Sequence, residues 1–168
     1  MIEVSTIKSH CMLGFTDGIY YRGEHKYWLP RSLIEQTETE NMKSLDEWTM
    51  AKYGICVGAF ELNRPDSYEN LPYAVGFAAL TDLIETETTL EGVLGSLIVD
   101  KDYRCQGLGF SLVGCLVEAI KEKSASGVVT PLNGLSAKCN KASLSIFTKL
   151  GFEPVGEGDG KTVVQMDL

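Results

Sequence analysis

The spacing of apolar and polar positions divides the chain into an N-terminal strand, a mixed segment, three successive strands, a helix, a strand, a helix and a closing hairpin. Ile2, Val4 and Ile7 make Met1 to Lys8 a short first strand. From Thr16 to Ala51, aromatics (Tyr20, Tyr21, Tyr27, Trp28) mix with a charged span broken at Pro30. This segment predicts one or two helices, the clearer from Ser44 to Lys52, where Ser44 can cap and Glu47 takes the capping-box position. The acidic run Thr37 to Glu40 reads as a solvated loop. Ile55 to Leu62 and Tyr73 to Leu80 are continuous apolar runs separated by the turn-rich Asn63 to Asn70, and predict an antiparallel hairpin of buried strands. Thr81 to Thr89 reads as a turn, and Leu90 to Val99 as the next strand. Three strands joined without helices exclude a purely parallel sheet.

After Val99 comes an acidic turn, then Arg104-Cys105-Gln106-Gly107-Leu108-Gly109, and then a long helical pattern in which Leu108, Leu112, Cys115, Leu116, Ala119 and Ile120 share a face. Ser126-Gly127 ends it, and Val128 to Cys139 reads as a strand interrupted around Pro131 and Gly134. A strand-helix-strand crossover makes this strand parallel to Leu90–Val99. Asn140 can cap a helix from Lys141 to Leu150 that carries Leu144, Phe147 and Leu150 on one side and stops at Gly151. Phe152 to Val155 and Thr162 to Leu168 then flank Asp159-Gly160, a tight-turn signal.

Composition adds bounds. The 168 residues suit one domain with a core of its own, and 44% hydrophobic with 23% charged residues is an ordinary globular mixture. A net charge of -8 argues against binding to nucleic acid or anionic membranes, which rely on Lys and Arg. It fits either a cationic partner or simple solubility. Five scattered cysteines, without a CxxC pair or a nearby histidine, read as reduced thiols and give no metal site. With no signal-peptide pattern and no apolar run of spanning length, the expected location is cytoplasmic.

The candidate chemistry begins at the glycine turn. A helix head following glycines presents unpaired N–H groups and the positive end of the helix dipole, so it can hold an anion such as a phosphate. The turn is neither a dinucleotide GxGxxG nor a Walker loop, which disfavours hydride transfer and nucleotide hydrolysis. LIVDKDYRCQGLG resembles the acetyl-CoA loop, [QR]-x-x-G-x-[GA] after a strand, of the GCN5-related N-acetyltransferase (GNAT) family. Asn140 through Phe152 is similar to that family's N-x-x-[AS]-x-x-L-[YF]-x-K-x-G-F segment, and the resemblance runs from about Tyr73 to the C-terminus.

The resemblance implies an α/β (α+β) fold: a single domain over residues 1–168, with a mixed, mostly antiparallel sheet of six or seven strands and flanking helices. It implies acetyl-CoA as cosubstrate and direct acetyl transfer to a primary amine. The pyrophosphate would lie on the backbone of Arg104, Cys105, Gln106, Gly107, Leu108 and Gly109, both glycines allowing close approach. Leu97, Ile98 and Val99 would pair with pantetheine where the strand splays, with the Ile98 region serving the oxyanion. Asn140 corresponds to an asparagine that binds the pantetheine arm or caps the helix, and Ser143 lies one turn further on the same face.

The family's general-acid tyrosine is replaced here by Phe147, which leaves the acid unknown. Glutamates used as base by some relatives fall on Val93 and Leu135, so Glu91, two residues from Val93 on the same strand face, is the nearest carboxylate, with a surface role as the alternative. Water can serve both proton transfers at a lower rate. Cys105 and Cys139 are the cysteines to weigh as nucleophiles, but His10 and His25 lie far away in sequence. The acceptor expected is a small-molecule or peptide amine, cationic in character, met by the N-terminal aromatics and by Glu35, Glu38 and Glu40. No metal, nucleic acid or membrane partner is expected, and a homodimer is compatible. The alternative function is a non-catalytic acyl-CoA-binding or interaction module on the same fold.

Overall fold

The computed structural model describes residues 1–7, 18–22, 25–39, 55–66, 68–127 and 131–168. The elements are β1 (Ile2–Ile7), β2 (Gly18–Arg22), β3 (His25–Leu29), α1 (Arg31–Thr39), β4 (Cys56–Glu61), β5 (Tyr73–Glu85), β6 (Leu90–Val99), α2 (Leu108–Ala125), β7 (Gly134–Cys139), α3 (Lys141–Lys149), β8 (Glu153–Gly158) and β9 (Lys161–Asp167). Among the described residues the main sheet runs β1-β4-β5-β6-β7-β9-β8, a path of seven strands, and the β2–β3 hairpin raises the total to nine. Pairing is antiparallel except between β6 and β7 and at the single Trp28–Tyr73 bridge joining β3 to β5. This is the mixed sheet with flanking helices that the sequence predicts.

Strands β4 and β5 read as unbroken apolar runs because both faces of the sheet are covered. On one face, Val57, Val75, Leu80, Leu94 and Leu135 pack against Leu112, Val113, Leu116 and Ile120 of α2 and Phe147 of α3. On the other, Phe60, Phe77, Ala79 and Ile98 join Tyr27, Leu29 and Leu33 from β3 and α1. Tyr27 stacks edge-on to Phe60 with ring centroids 5.0 Å apart. The buried face of α2 includes Val113 and Val117, while Cys115, expected in it, is half-buried.

Several boundaries differ from the sequence expectation. The aromatic span forms the β2–β3 hairpin ahead of α1, in keeping with the strand preference of Ile19, Tyr20, Tyr21, Tyr27 and Trp28. Thr37, Glu38 and Thr39, expected in a loop, complete α1, which starts directly after Pro30. The helix expected from Ser44 to Lys52 lies outside the described residues. Strand β5 continues through Thr81–Glu85, so the turn to β6 is confined to Thr86–Thr89, where the Thr86 N–H donates to the Thr89 carbonyl at 2.8 Å. Strand β7 starts only at Gly134.

Candidate active site

The β6–β7 ladder opens the site. The two strands pair from Glu91–Gly134 to Leu94–Ala137 and then part, although β6 runs on to Val99 and β7 to Cys139. Past that point each keeps only its outer neighbour: Ile98 pairs with Phe77 on β5, and Cys139 pairs with Thr162 on β9. A bulge assists the parting, because Ser96 and Leu97 together stand opposite the single residue Ala78 between the Phe77–Ile98 and Ala79–Gly95 pairs. An extra residue bends the strand and increases its twist. Leu97 and Val99 lean on the core beneath α2 and α3, and Ile98 is buried in the core beneath α1. The β7-side backbone of β6 is therefore freed where its side chains are held by packing. Nothing in the period-two pattern of the sequence marks this bulge.

At the C-terminal end of β6 the chain is pinned before it turns. The Asp100 N–H donates to the Val75 carbonyl at 2.8 Å, and its buried carboxylate accepts from the Asp102 N–H at 3.0 Å. This caps a 3-10 turn, Lys101–Tyr103. Gln36 of α1 accepts from the Lys101 N–H at 3.0 Å, and the Arg104 guanidinium folds back so that Nε donates to the Val99 carbonyl at 2.9 Å. Arg104, Cys105, Gln106 and Gly107 then form an exposed loop in which Cys105 (φ 62°) and Gly107 (φ 79°) are left-handed. Gly107 is the N-cap of α2 and provides no side-chain cap, so the N–H groups of Leu108, Gly109 and Phe110 head the helix without an intrahelical acceptor. The Leu108 side chain is buried in the core, leaving its backbone for the loop.

The two glycines answer different demands. A Cβ on Gly107 would meet nothing within 4 Å, so that position is fixed by its positive φ and leaves open space in front of the loop. A Cβ on Gly109 would lie 2.7 Å from Ile146 Cδ1 and 3.6 Å from Leu97 Cδ2. Gly109 therefore also lets α2 close on α3 and β6, a packing demand in addition to any approach of a ligand to its N–H.

Asn140 caps α3: its Oδ1 accepts from the Ser143 N–H at 2.9 Å and the Ser143 hydroxyl at 3.0 Å. Capping uses the oxygen and leaves the exposed side-chain NH2 as a separate donor, so capping and ligand binding are compatible in one residue. Cys139, one residue earlier, is buried, and burial pushes its thiol pKa up, a poor setting for a nucleophile. Phe147 is 4% exposed and meets Phe152 edge-on, with centroids 5.1 Å apart and planes at 90°. Leu135 is fully buried under α2. Glu91 alternates with the core residues Leu90 and Gly92 and so faces the α1 side of the sheet, where both its carboxylate oxygens lie 3.4 Å from Gln165 Nε2. It stands three residues before the last β6–β7 pair, roughly 10 Å from the parting at strand rise. Because β6 and β7 run parallel, the loop after β6 and the head of α3 after β7 leave the same end of the sheet, while Glu91 stands back along β6. Among the described residues no cluster of three or more His, Cys, Asp or Glu is arranged to hold a metal, and no helix is long and apolar enough to cross a membrane.

Residues 23–152 match the family model described as Acetyltransferase (GNAT) family. No curated protein matches the chain by sequence. Among solved structures, a tyrosine-to-phenylalanine mutant of the AtaT toxin bound to the C-terminus of the antitoxin AtaR is similar with TM-score 0.60 and 17% identity, over 99% of this chain and 92% of that one. The same complex with acetyl-CoA gives TM-score 0.51 and 15% identity, over 99% and 92%. Arabidopsis thaliana NAA60 with a bisubstrate analogue gives TM-score 0.59 and 14% identity, over 99% and 98%. At these identities the structures attest the fold, and the family match spans most of the length, from β3 through α3 to Phe152. With the parted strands, the glycine turn and the capped third helix in their places, the chain belongs to the GNAT acetyltransferase family.

Proposed function

We propose that this protein is an acetyl-CoA-dependent N-acetyltransferase that transfers an acetyl group directly to a primary amine of a small molecule or peptide. The observation that carries the reading is the parting of β6 from β7 beyond Leu94–Ala137, which ends at an exposed glycine turn on a helix head. Acetyl-CoA fits these features: its diphosphate matches the N–H groups of Leu108, Gly109 and Phe110, and its amide-rich arm matches the strand edge freed at Leu97, Ile98 and Val99. The Asn140 NH2 is a further donor for that arm, with Ser143 holding the Asn140 oxygen in place.

Acetyl-CoA supplies the thioester carbonyl. The amine nitrogen forms a bond to that carbon, the carbon–sulfur bond breaks, and CoA leaves as a thiolate that takes up a proton. Backbone N–H groups around Ile98 stabilise the oxyanion. Phe147 supplies no proton, so water protonates the leaving thiolate. Glu91, roughly 10 Å from the strand parting, takes the amine proton through water. A net charge of -8 is compatible with a cationic acceptor.

One observation favours a second reading, a CoA-binding module without catalysis: position 147 carries no hydroxyl and is packed into the core. Calorimetry with acetyl-CoA, run beside a thiol-release assay over a panel of amines that includes polyamines and peptide N-termini, separates the two. Thiol release with at least one amine is the expected result. Binding without release from any amine establishes the module, and no binding overturns both readings.

A further inference from the structure

The loop Arg104–Gly107 is exposed and has two left-handed residues, and besides the Arg104 bond to the Val99 carbonyl its shape depends on what holds its ends. At one end is α2. At the other is Tyr103, whose hydroxyl sits in a polar cluster formed by residues distant in sequence. It accepts from Arg64 Nη1 at 2.6 Å and donates to Glu61 Oε2, at the C-terminal end of β4. Arg64 is itself fixed: its Nε and Nη2 donate to the two oxygens of Asp66 at 2.5 and 3.0 Å, and its guanidinium lies 3.9 Å over the Tyr73 ring. Arg64 also lies 3.7 Å from Glu61, so both groups that grip the hydroxyl are themselves paired. Burial, and then the bond to Glu61, raise the Tyr103 pKa well above its ordinary value, so the hydroxyl remains a donor across the working pH range.

We propose that Tyr103, clasped between Arg64 and Glu61, is a positioning residue that presets the Arg104–Gly107 turn for the diphosphate of CoA. This rests on the reading of the turn as a CoA site. The clasp joins the residue immediately before the loop to Glu61 at the C-terminal end of β4 and, through Arg64, to Tyr73 at the start of β5. Such preorganisation acts on affinity by sparing the ligand the cost of ordering the loop.

The test compares the parent chain with Tyr103→Phe, Glu61→Leu, Glu61→Gln and the Tyr103→Phe/Glu61→Leu double variant. The readouts are CoA affinity by calorimetry, melting temperature, and amide hydrogen exchange of the ligand-free chain. Tyr103→Phe keeps the ring and removes only the hydroxyl, and should weaken CoA about five- to tenfold, the affinity equivalent of one hydrogen bond. Exchange should quicken at residues 104–107 while the amides of β4 and β5 stay protected. Glu61→Leu should weaken CoA to the same degree, the double variant no further, and Glu61→Gln, which keeps an acceptor, should restore affinity to within about twofold of the parent. Parent-like affinity in Tyr103→Phe, or a loss matched by faster exchange throughout β4 and β5, overturns the clasp alone. No CoA binding by the parent chain overturns the CoA reading and the clasp with it. If Tyr103→Phe does not fold, the Glu61→Gln and Glu61→Leu pair decides: equal affinities overturn the proposal, and a loss confined to Glu61→Leu upholds it.

Discussion

The two halves of the site are built from different materials. The cradle proposed for CoA is backbone: a strand edge freed by a bulge, a turn with a left-handed glycine, and the head of α2. The half where the chemistry would occur depends on side chains, and the positions where an acid or base could stand are Phe147, packed on Phe152, the apolar Val93, and Leu135, buried under α2. Backbone geometry survives almost any substitution that leaves the fold intact, whereas a proton donor is lost with a single oxygen atom. A chain can therefore keep a well-formed ligand cradle while its proton transfers pass to water, and the two halves should respond differently to mutation.

The largest effect should come from Gly107. Replacing it with Glu forces a β-carbon into a left-handed backbone, which costs roughly 1–2 kcal/mol, and directs a carboxylate into the open space in front of the loop. Strain and like-charge repulsion together should weaken CoA by about 100-fold or more in calorimetry, with secondary structure unchanged because the position touches nothing. Parent-like affinity would mean that the turn does not meet the diphosphate.

Gly109 provides the contrast within one motif. Gly109→Leu has no room between Ile146 and Leu97, and overpacking of this kind costs about 1–3 kcal/mol. The loss should appear first as a lower denaturation midpoint, and Ile146→Ala in the same chain should recover part of it. If Gly109→Leu instead leaves stability untouched and affects CoA alone, both glycines belong to the cradle.

How much of this was legible in the sequence follows the range of each interaction. The glycine turn on α2, the Asn140 cap bonded to Ser143 three residues away, the Gly151 stop and the β8–β9 turn at Asp159-Gly160 are all local, and their residues announce them. The β2–β3 hairpin is hidden because Arg22, His25 and Lys26 interrupt its aromatic pattern, and among the described residues its tie to the sheet is a single bridge between Trp28 and Tyr73. The bulge at Ser96–Leu97 depends on what stands opposite on β5. The hydroxyl of Tyr103 meets partners 39 and 42 residues away, beyond any local pattern. The packing demand on Gly109 is hidden for the same reason, since Ile146 lies on another helix.

Phe147→Tyr sharpens the comparison from the chemical side. The ring is buried against Phe152, so an added hydroxyl should find no partner and destabilise the chain by about 1–2 kcal/mol, seen as a fall in denaturation midpoint. Turnover, measured with whichever amine the panel reveals, should stay within about threefold of the parent. A gain approaching 100-fold would show that the hydroxyl reaches the leaving thiolate, and that position 147 belongs to the catalytic half after all.

The smallest effect should be that of Glu91. At roughly 10 Å from the strand parting it can take a proton only through water, and a water chain needs the carboxylate less than a direct contact would. Glu91→Gln keeps an oxygen facing Gln165 Nε2, so the fold around it should hold. At neutral pH kcat/KM should fall about three- to tenfold. A primary amine with a pKa near 10 becomes its own free base as the pH rises, so the deficit should shrink steadily toward pH 9 to 10. A deficit larger than about 100-fold that persists at high pH would make Glu91 a direct base and place the acceptor nitrogen over the paired part of β6. No deficit at any pH would reduce Glu91 to a partner of Gln165, and deprotonation would then be left to solvent alone.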